Sequence, residues 1–198
     1  MATPDLQTRL TEALARPGRP STDYDLNKDI AGPEGRILRP AAVLIAICPE
    51  TETVFLTQRS AALKHHPGQV AFPGGKQDPG DPTPTAAALR EAEEEIGLPR
   101  DQVRVLGHMP EHETVTGFLM TPVIGLIEGS FTPRAEIGEV AEVFRVPLSH
   151  VTDPANFVVQ SRRWQGRKRH YYTVPFGPYY IWGASARVLR ALADRMNP

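Results

Sequence analysis

Cysteine is almost missing from this sequence: Cys48 is the only one. A single thiol excludes an internal disulfide framework and any zinc site built from cysteine pairs, and its place in an apolar run predicts a buried core thiol. Excess charge of one sign is missing too. The 22 basic residues stand against 23 acidic ones, a formal net charge of −1, so no global field recruits nucleic acid or a membrane surface. No apolar run approaches the roughly 18 residues of a membrane-spanning helix. With no secretory signal or peroxisomal address visible, the expectation is a cytoplasmic protein. Internal repeats and low-complexity tracts are absent as well. Proline and glycine are plentiful, at 20 and 16, and with 40% apolar residues they predict one core and many turns.

Those turn residues crowd one stretch. Of the ten residues 74–83, seven are Gly, Pro or Asp, which reads as an irregular loop. Thr83-Pro84 then opens a helix: threonine can accept from a free amide of the first turn, and proline fits a position whose N–H would be unpaired anyway. Gly97, with Pro99 close behind, closes it.

The helix carries chemistry in where its charges fall. At about 100° per residue, Glu91, Glu94 and Glu95 lie within an arc of roughly 100°, whereas Glu93 points about 160° from Glu91. Ala88, Leu89, Ala92 and Ile96 form a separate apolar stripe with Glu95 at its edge, which predicts at least one shielded carboxylate. Like charges so placed repel unless a cation neutralises them, and oxygen donors without thiols favour a hard ion such as magnesium or manganese. Glutamate-rich helix faces are commonly just solvated. The glycine loop feeding directly into this one adds main-chain carbonyls and a close backbone approach at the same place.

Before that loop, residues 41–48 read as a strand buried on both faces and 53–59 as its hairpin partner. A basic, interrupted loop follows, with Arg59, Lys64, His65 and His66 suited to an anionic substrate, and then a short strand at 69–72. Residues 5–16 predict an amphipathic helix, and 18–35 a polar arm laid over the domain or over a partner subunit of a homodimer. After the acidic helix, 102–108 and 118–127 read as strands, Pro122 marking an edge or an irregularity in the second. The polar loop between them, 109–117, carries Glu111, His112 and Glu113, which either approach the metal site or are simply solvated, the second being the commoner case. Residues 136–148 predict a further strand and a helical turn. Residues 157–163 and 168–174 predict a hairpin around Trp164, where Arg162, Arg163, Arg167, Lys168 and Arg169 mix with aromatics. That mixture suits a nucleotide base and its phosphate, single-stranded nucleic acid, or simply a charged edge. A last helix covers 180–193, with Trp182 expected in the core.

The run Arg90-Glu91-Ala92-Glu93-Glu94-Glu95-Ile96-Gly97-Leu98 resembles the end of the Nudix hydrolase signature, and Gly75 matches its opening glycine. Asp81 stands where the signature has glutamate, and eight residues instead of seven separate it from Arg90. Upstream, Thr57-Gln58-Arg59-Ser60 and Gly68-Gln69-Val70-Ala71-Phe72-Pro73-Gly74-Gly75 resemble the segment before that signature in the coenzyme A diphosphatase subfamily, whose longer spacing also fits the extra residue. Lys64 occupies a position where the pattern has arginine. Ile181-Trp182-Gly183-Ala184 is similar to the start of the subfamily's last helix.

The resemblance implies an α/β/α fold with a mixed β-sheet between helices, residues 1–35 forming a helix and arm and 36–198 the hydrolase domain. It implies metal-dependent hydrolysis of the diphosphate of coenzyme A or acyl-coenzyme A. Magnesium or manganese would be held by Glu91, Glu94, Glu95 and the Gly75 carbonyl. Glu91, Glu94, Glu95 and Arg90 are the catalytic candidates, and Arg59, Lys64 and Gln69 the substrate-binding ones. Glu139 and Glu142 are candidates for a downstream acid that joins the site. The expected partner is a small diphosphate, with no membrane and no nucleic acid. Two alternatives stay open: another diphosphate such as ADP-ribose, a dinucleotide or a nucleoside triphosphate, and a non-catalytic module binding nucleotide or RNA.

Overall fold

The computed structural model of the chain describes residues 4–30, 32–33, 35–64, 66–164 and 166–197. Its first helix, α1 (Leu6–Ala15), starts where the Asp5 carboxylate accepts from the Thr8 amide at 3.0 Å, and it buries Leu6, Leu10 and Ala13. After a two-residue strand, β1 (Ser21–Thr22), the chain enters β2 (Arg39–Cys48) and doubles back through β3 (Thr53–Arg59), the hairpin expected from sequence. Two short strands follow, β4 (Val70–Ala71) against β3 and β5 (Gly74–Lys76) against β2, before α2 (Pro84–Ile96). The strands β6 (Val103–His108), β7 (His112–Glu113) and β8 (Phe118–Ile127) extend the sheet, and β9 (Val140–Pro147) returns to pair with β3. The short helix α3 (Leu148–Val151), a separate hairpin of β10 (Val158–Trp164) and β11 (Arg167–Thr173), and helix α4 (Gly183–Met196) come last.

The axis of the sheet is β2. It runs parallel to β8, from Arg39 opposite Phe118 to Ile47 opposite Leu126, and antiparallel to β3 and β5 on its other side. Successive side chains therefore go to opposite faces. Val43, Ile45 and Ile47 join one apolar cluster with Leu10 of α1 and Val188 and Leu192 of α4. Ala42, Leu44 and Ala46 join the other, beneath Ala87, Ala88, Ala92 and Ile96 of α2. A mixed sheet between helices is the architecture expected. Among the described residues no helix is long and apolar enough to cross a membrane.

Several local readings change. Residues 74–76 form strand β5 instead of loop, because β2 offers an open ladder that glycine-rich backbone can occupy. Pro122 marks no edge, since β8 has β2 on one side and β6 and β7 on the other. It sits where the partner breaks between β6 and β7, its carbonyl taking the Met109 amide at 2.9 Å, so the missing N–H falls at an interruption of the ladder. Cys48 is half-buried at the end of β2, its thiol donating to Glu50 at 3.1 Å. The last helix begins at Gly183, three residues later than the periodicity suggested. Trp182, placed in the core by sequence, stands half-buried just before that helix, its ring 5.2 Å from that of Tyr171 and under the Arg162 guanidinium at 4.3 Å.

The N-terminal arm lies over its own chain. Strand β1 pairs in parallel with β7, and Asn27 exchanges hydrogen bonds with the His170 backbone on β11. The fully buried His112 links the two: its Nδ1 is 2.9 Å from the Ser21 hydroxyl and its Nε2 is 3.2 Å from Asp23 Oδ1. Burial alone would raise the Asp23 carboxyl, but the His112 contact and the Val115 amide, donating at 2.8 Å, hold it below the usual range. A Ser–His–Asp chain invites comparison with a nucleophilic triad. Here Ser21 is 6% exposed and His112 not at all, so no substrate reaches either, and the chain works as a latch. Glu113 pairs with Arg36, so residues 112–113 serve the arm. His112→Ala removes the shared partner and is expected to lower stability by about 2–3 kcal/mol, roughly 5–10 °C in Tm. Amide exchange at Ser21 and Asp23 should accelerate together with it; an unchanged Tm would show that the arm holds without the latch.

Candidate active site

Helix α2 is fixed at both ends by the residues that predict it. The Thr83 hydroxyl accepts from the Ala86 amide at 3.1 Å, Pro84 occupies the first turn, and Gly97 closes the helix in the left-handed conformation at φ 71°. Between them, fully buried Ala87, Ala88 and Ala92 let the helix approach the sheet closely. That approach carries Glu91 and Glu95, one turn apart, against β5. Glu95 Oε2 accepts from the Gly74 amide at 3.1 Å. A Cβ added to Gly75 would lie 2.4 Å from Glu91 Oε1, so a larger residue there would displace that carboxylate.

The three acids of the predicted set differ in surroundings. The Glu91 side chain is 16% exposed, Glu94 55%, and Glu95 is 5% exposed as a residue. Burial raises the Glu91 carboxyl above its ordinary range, against the pull of Arg90. Glu95 is pushed up to about 7, chiefly by burial, with the Gly74 amide opposing and the Glu91 charge adding to the rise. Glu93 points away, as the helical wheel requires, and pairs with Arg100 at 2.6 Å.

Arg90 organises the exposed side of this group. It stands 3.1 Å from Glu91 and 2.9 Å from Glu94, and donates to the Lys76 carbonyl at 3.1 Å. Asp81, whose part the sequence left open, takes the guanidinium through both oxygens, at 3.1 Å from Nε and 2.9 Å from Nη2. That contact holds the Asp81 carboxyl below its usual range and makes Arg90 still harder to deprotonate. Glu94 is thereby drawn to Arg90, and among the described residues no three His, Cys, Asp or Glu side chains converge as a ready metal cluster.

The upstream candidates fall unequally. Arg59, at the end of β3, is near enough for its charge to ease the ionisation of Glu95, and its buried Nε has no hydrogen-bond partner among the described residues. Gln69 is half-buried next to it, its carbonyl accepting the Arg59 amide at 2.9 Å. Lys64 and His66 are exposed on the intervening loop, and His65 lies outside the described residues. Of the downstream acids, Glu139 comes close enough for its charge to act on both Glu91 and Glu95. Backbone bonds put it there: Glu136 donates to the Glu95 carbonyl at 2.9 Å, and Ser60 to the Glu139 carbonyl at 2.8 Å. Glu142 goes elsewhere and accepts from the Tyr179 hydroxyl at 2.6 Å. Hollows of about 580 and 480 Å³ lie away from these groups, beside α1 and between the arm and α4, and neither is lined by Glu91 or Glu95. The acids mark the site better than concavity does.

Desolvated acids beside a guanidinium suit an anionic substrate that arrives with a divalent cation. Comparison gives the family itself: the NUDIX domain profile matches residues 38–168, and the chain belongs to the Nudix hydrolases, enzymes that act on small-molecule diphosphates and generally use divalent metal ions. It is 39% identical over 160 residues to the uncharacterized Nudix hydrolase NudL of Photorhabdus laumondii, a match spanning 80% of this chain and 86% of that one. With NudL of Citrobacter koseri it shares 41% over 156 residues, 78% of this chain and 81% of the relative. Among solved structures, a Nudix hydrolase from M. smegmatis, RenU, is 30% identical and covers 59% of this chain and 73% of its own, with a TM-score of 0.46.

The raised Glu95 carboxyl has a consequence for stability without metal. Across the window from about 4.5 to about 7 the folded chain keeps a proton that the unfolded chain has lost, so stability is greatest below that window and falls as pH rises through it. Glu95→Gln removes the loss. In chelator at pH 8 the variant should be more stable than the parent by up to about 3 kcal/mol, and near pH 4.5 the two should match. Denaturant titrations at both pH values check this; a variant less stable at pH 8 would refute it.

Proposed function

We propose that this Nudix hydrolase cleaves the internal diphosphate of coenzyme A or an acyl derivative, releasing 4′-phosphopantetheine, or its acyl form, and adenosine 3′,5′-bisphosphate. The observation that carries the reading is the placement of Arg59. It belongs to the upstream segment that resembles the coenzyme A diphosphatases, its charge acts on Glu95, and its buried Nε has no partner among the described residues.

The donor set suits magnesium or manganese, because it consists of hard oxygens with two partly desolvated carboxylates in need of a counter-charge. Glu91, Glu95 and the Gly75 carbonyl would hold the ion, with Glu94 as the third acid. Once bound, such an ion offsets charge on the diphosphate oxygens and lowers the pKa of a coordinated water. Arg59 draws in the substrate phosphate, and Gln69 keeps the Arg59 backbone in place through its carbonyl. Lys64, on the exposed loop, adds charge to the path of approach. Arg90 orients Glu91 and Glu94 while Asp81 anchors it from behind. Glu94 and Glu139, both exposed, are the carboxylates placed to take the proton of the attacking water.

Glu91→Gln and Glu95→Gln should each lower kcat at least about 100-fold with circular dichroism unchanged, and Glu93→Gln should stay within about twofold. A fully active Glu95→Gln enzyme with the parent's metal dependence would remove the assignment. Arg59→Ala is expected to raise KM about tenfold and leave kcat nearly unchanged; an unaltered KM would count against its contact with phosphate. The deciding assay offers coenzyme A, acetyl-coenzyme A, ADP-ribose, a dinucleoside polyphosphate and a nucleoside triphosphate with magnesium or manganese, and identifies products by mass spectrometry. Preferred cleavage of any but the first two would transfer the same site to another diphosphate.

A further inference from the structure

Hairpin β10–β11 is not explained by the fold. Every residue of β10 is exposed, and the hairpin forms a sheet of its own outside the main one. Residues 158–173 contain five basic residues and no acidic one. Their register sharpens the anomaly: Arg162 lies directly opposite Arg169 and Arg163 directly opposite Lys168. Like charges facing each other across strands destabilise a hairpin. Among the described residues none of Arg162, Arg163, Arg167 and Lys168 forms an ion pair with a carboxylate. A strand edge protected against aggregation needs only one or two charges. A second copy of the chain, bringing the same cations, would add to the repulsion. The missing component is an anion.

Aromatic rings stand beside those charges. Arg162 lies over both tryptophan rings, 4.3 Å from Trp182 and 5.2 Å from Trp164. Tyr171 meets Trp182 edge-on at 5.2 Å, and Tyr180, 41% exposed, donates to Gln160 at 2.7 Å. Trp164 is 44% exposed. Exposed and half-buried rings grouped around a guanidinium suit a planar heterocycle carrying negative charge.

The group also lies next to the acid site. Ser185, in the first turn of α4 just after Trp182, donates to the Val70 carbonyl at 3.2 Å. Val70 follows Gln69, whose carbonyl holds the Arg59 amide. Arg59 is thus linked to the turn that follows Trp182 by two hydrogen bonds, and Tyr179, one residue before Tyr180, donates to Glu142, which stands opposite Gln58, the neighbour of Arg59 on β3.

We propose that the face formed by Arg162, Trp164, Tyr171, Tyr180 and Trp182 is the nucleotide subsite of the substrate, the rings stacking its base and the hairpin cations binding a phosphate outside the cleaved diphosphate. This rests on the coenzyme A reading, and it names the 3′-phosphate as the feature that separates preferred from poor substrates. The compact group fits one base; a strand of RNA would call for rings spaced along a groove.

The experiment uses the full chain and its own fluorescence, because Trp164 and Trp182 are its only tryptophans. Adenosine 3′,5′-bisphosphate, added in chelator so that nothing is cleaved, should quench their emission saturably. Arg162→Ala should weaken that binding about tenfold, and raise KM about tenfold for coenzyme A but under threefold for dephospho-coenzyme A, with kcat retained. Quenching and its loss in the variant uphold the subsite even if coenzyme A is not hydrolysed, which would overturn only the reading it rests on. No quenching, or equal KM changes for both substrates, overturns the subsite. So does salt-sensitive quenching by an oligoribonucleotide at far lower concentration, with the coenzyme A KM unmoved, which would make the hairpin an RNA-binding surface.

Discussion

Two carboxylates one helical turn apart are packed against a strand of glycine, where neither is well solvated, and much of the structure answers that constraint. Burial favours the neutral form of both Glu91 and Glu95, yet a carboxyl pair binds a cation well only when ionised. Opposing forces come from named groups: the Gly74 amide and the charge of Arg59 act on Glu95, and Arg90 acts on Glu91. The balance still leaves both carboxyls raised, a charge deficit that suits a divalent cation and its diphosphate.

The same constraint reaches the rest of the fold. Glycine at 75 leaves the Glu91 carboxylate its place, and fully buried alanines at 87, 88 and 92 let the helix lie close to the sheet. Arg134 and Glu136 bond back to the last carbonyls of α2, at 2.9 Å each, so the descending segment is attached to the helix before it enters β9. That attachment is what carries Glu139 to the acids from more than forty residues further along the chain. The sheet, through β2, holds the strand side; the segment after β8 holds the helix side.

Legibility in the sequence followed range. Helix α2 was readable to the residue because its signals are local: Thr83 and Pro84 at one end, Gly97 at the other, and a charge pattern set by a fixed angle per residue. Strand β2 was readable because both of its faces are apolar. Where structure depended on distant partners the reading failed or fell silent. Residues 74–76 look like loop until β2 is present to pair with them, and Pro122 reads equally as an edge or an irregularity until the gap between β6 and β7 shows it to be the second. Trp182 was assigned to the core on hydrophobicity, since nothing local told of Arg162 and Tyr171. The latch joins Ser21 and Asp23 to His112, about ninety positions away, and a lone histidine in a polar loop carries no mark of it. Between Glu139 and Glu142 the sequence offered no choice; in the structure Glu139 lies near the acid pair and Glu142 accepts from Tyr179.

Asp81 illustrates how an irregular feature becomes intelligible once its partner is known. The side chain is one methylene shorter than the glutamate of the general signature, and the loop before Arg90 is one residue longer. Either change alone would alter the reach between acid and arginine. Together they leave a bidentate contact, with Asp81 further tied by the Asp78 amide at 2.9 Å. A planar fork of donors can satisfy Asp81 on one side and Glu91 and Glu94 on the other only if it is held in a single orientation. The acid behind the arginine supplies that hold. Asp81 thus belongs with the groups that position the helix carboxylates, and its substitution of aspartate for glutamate is matched by the length of the loop that delivers it.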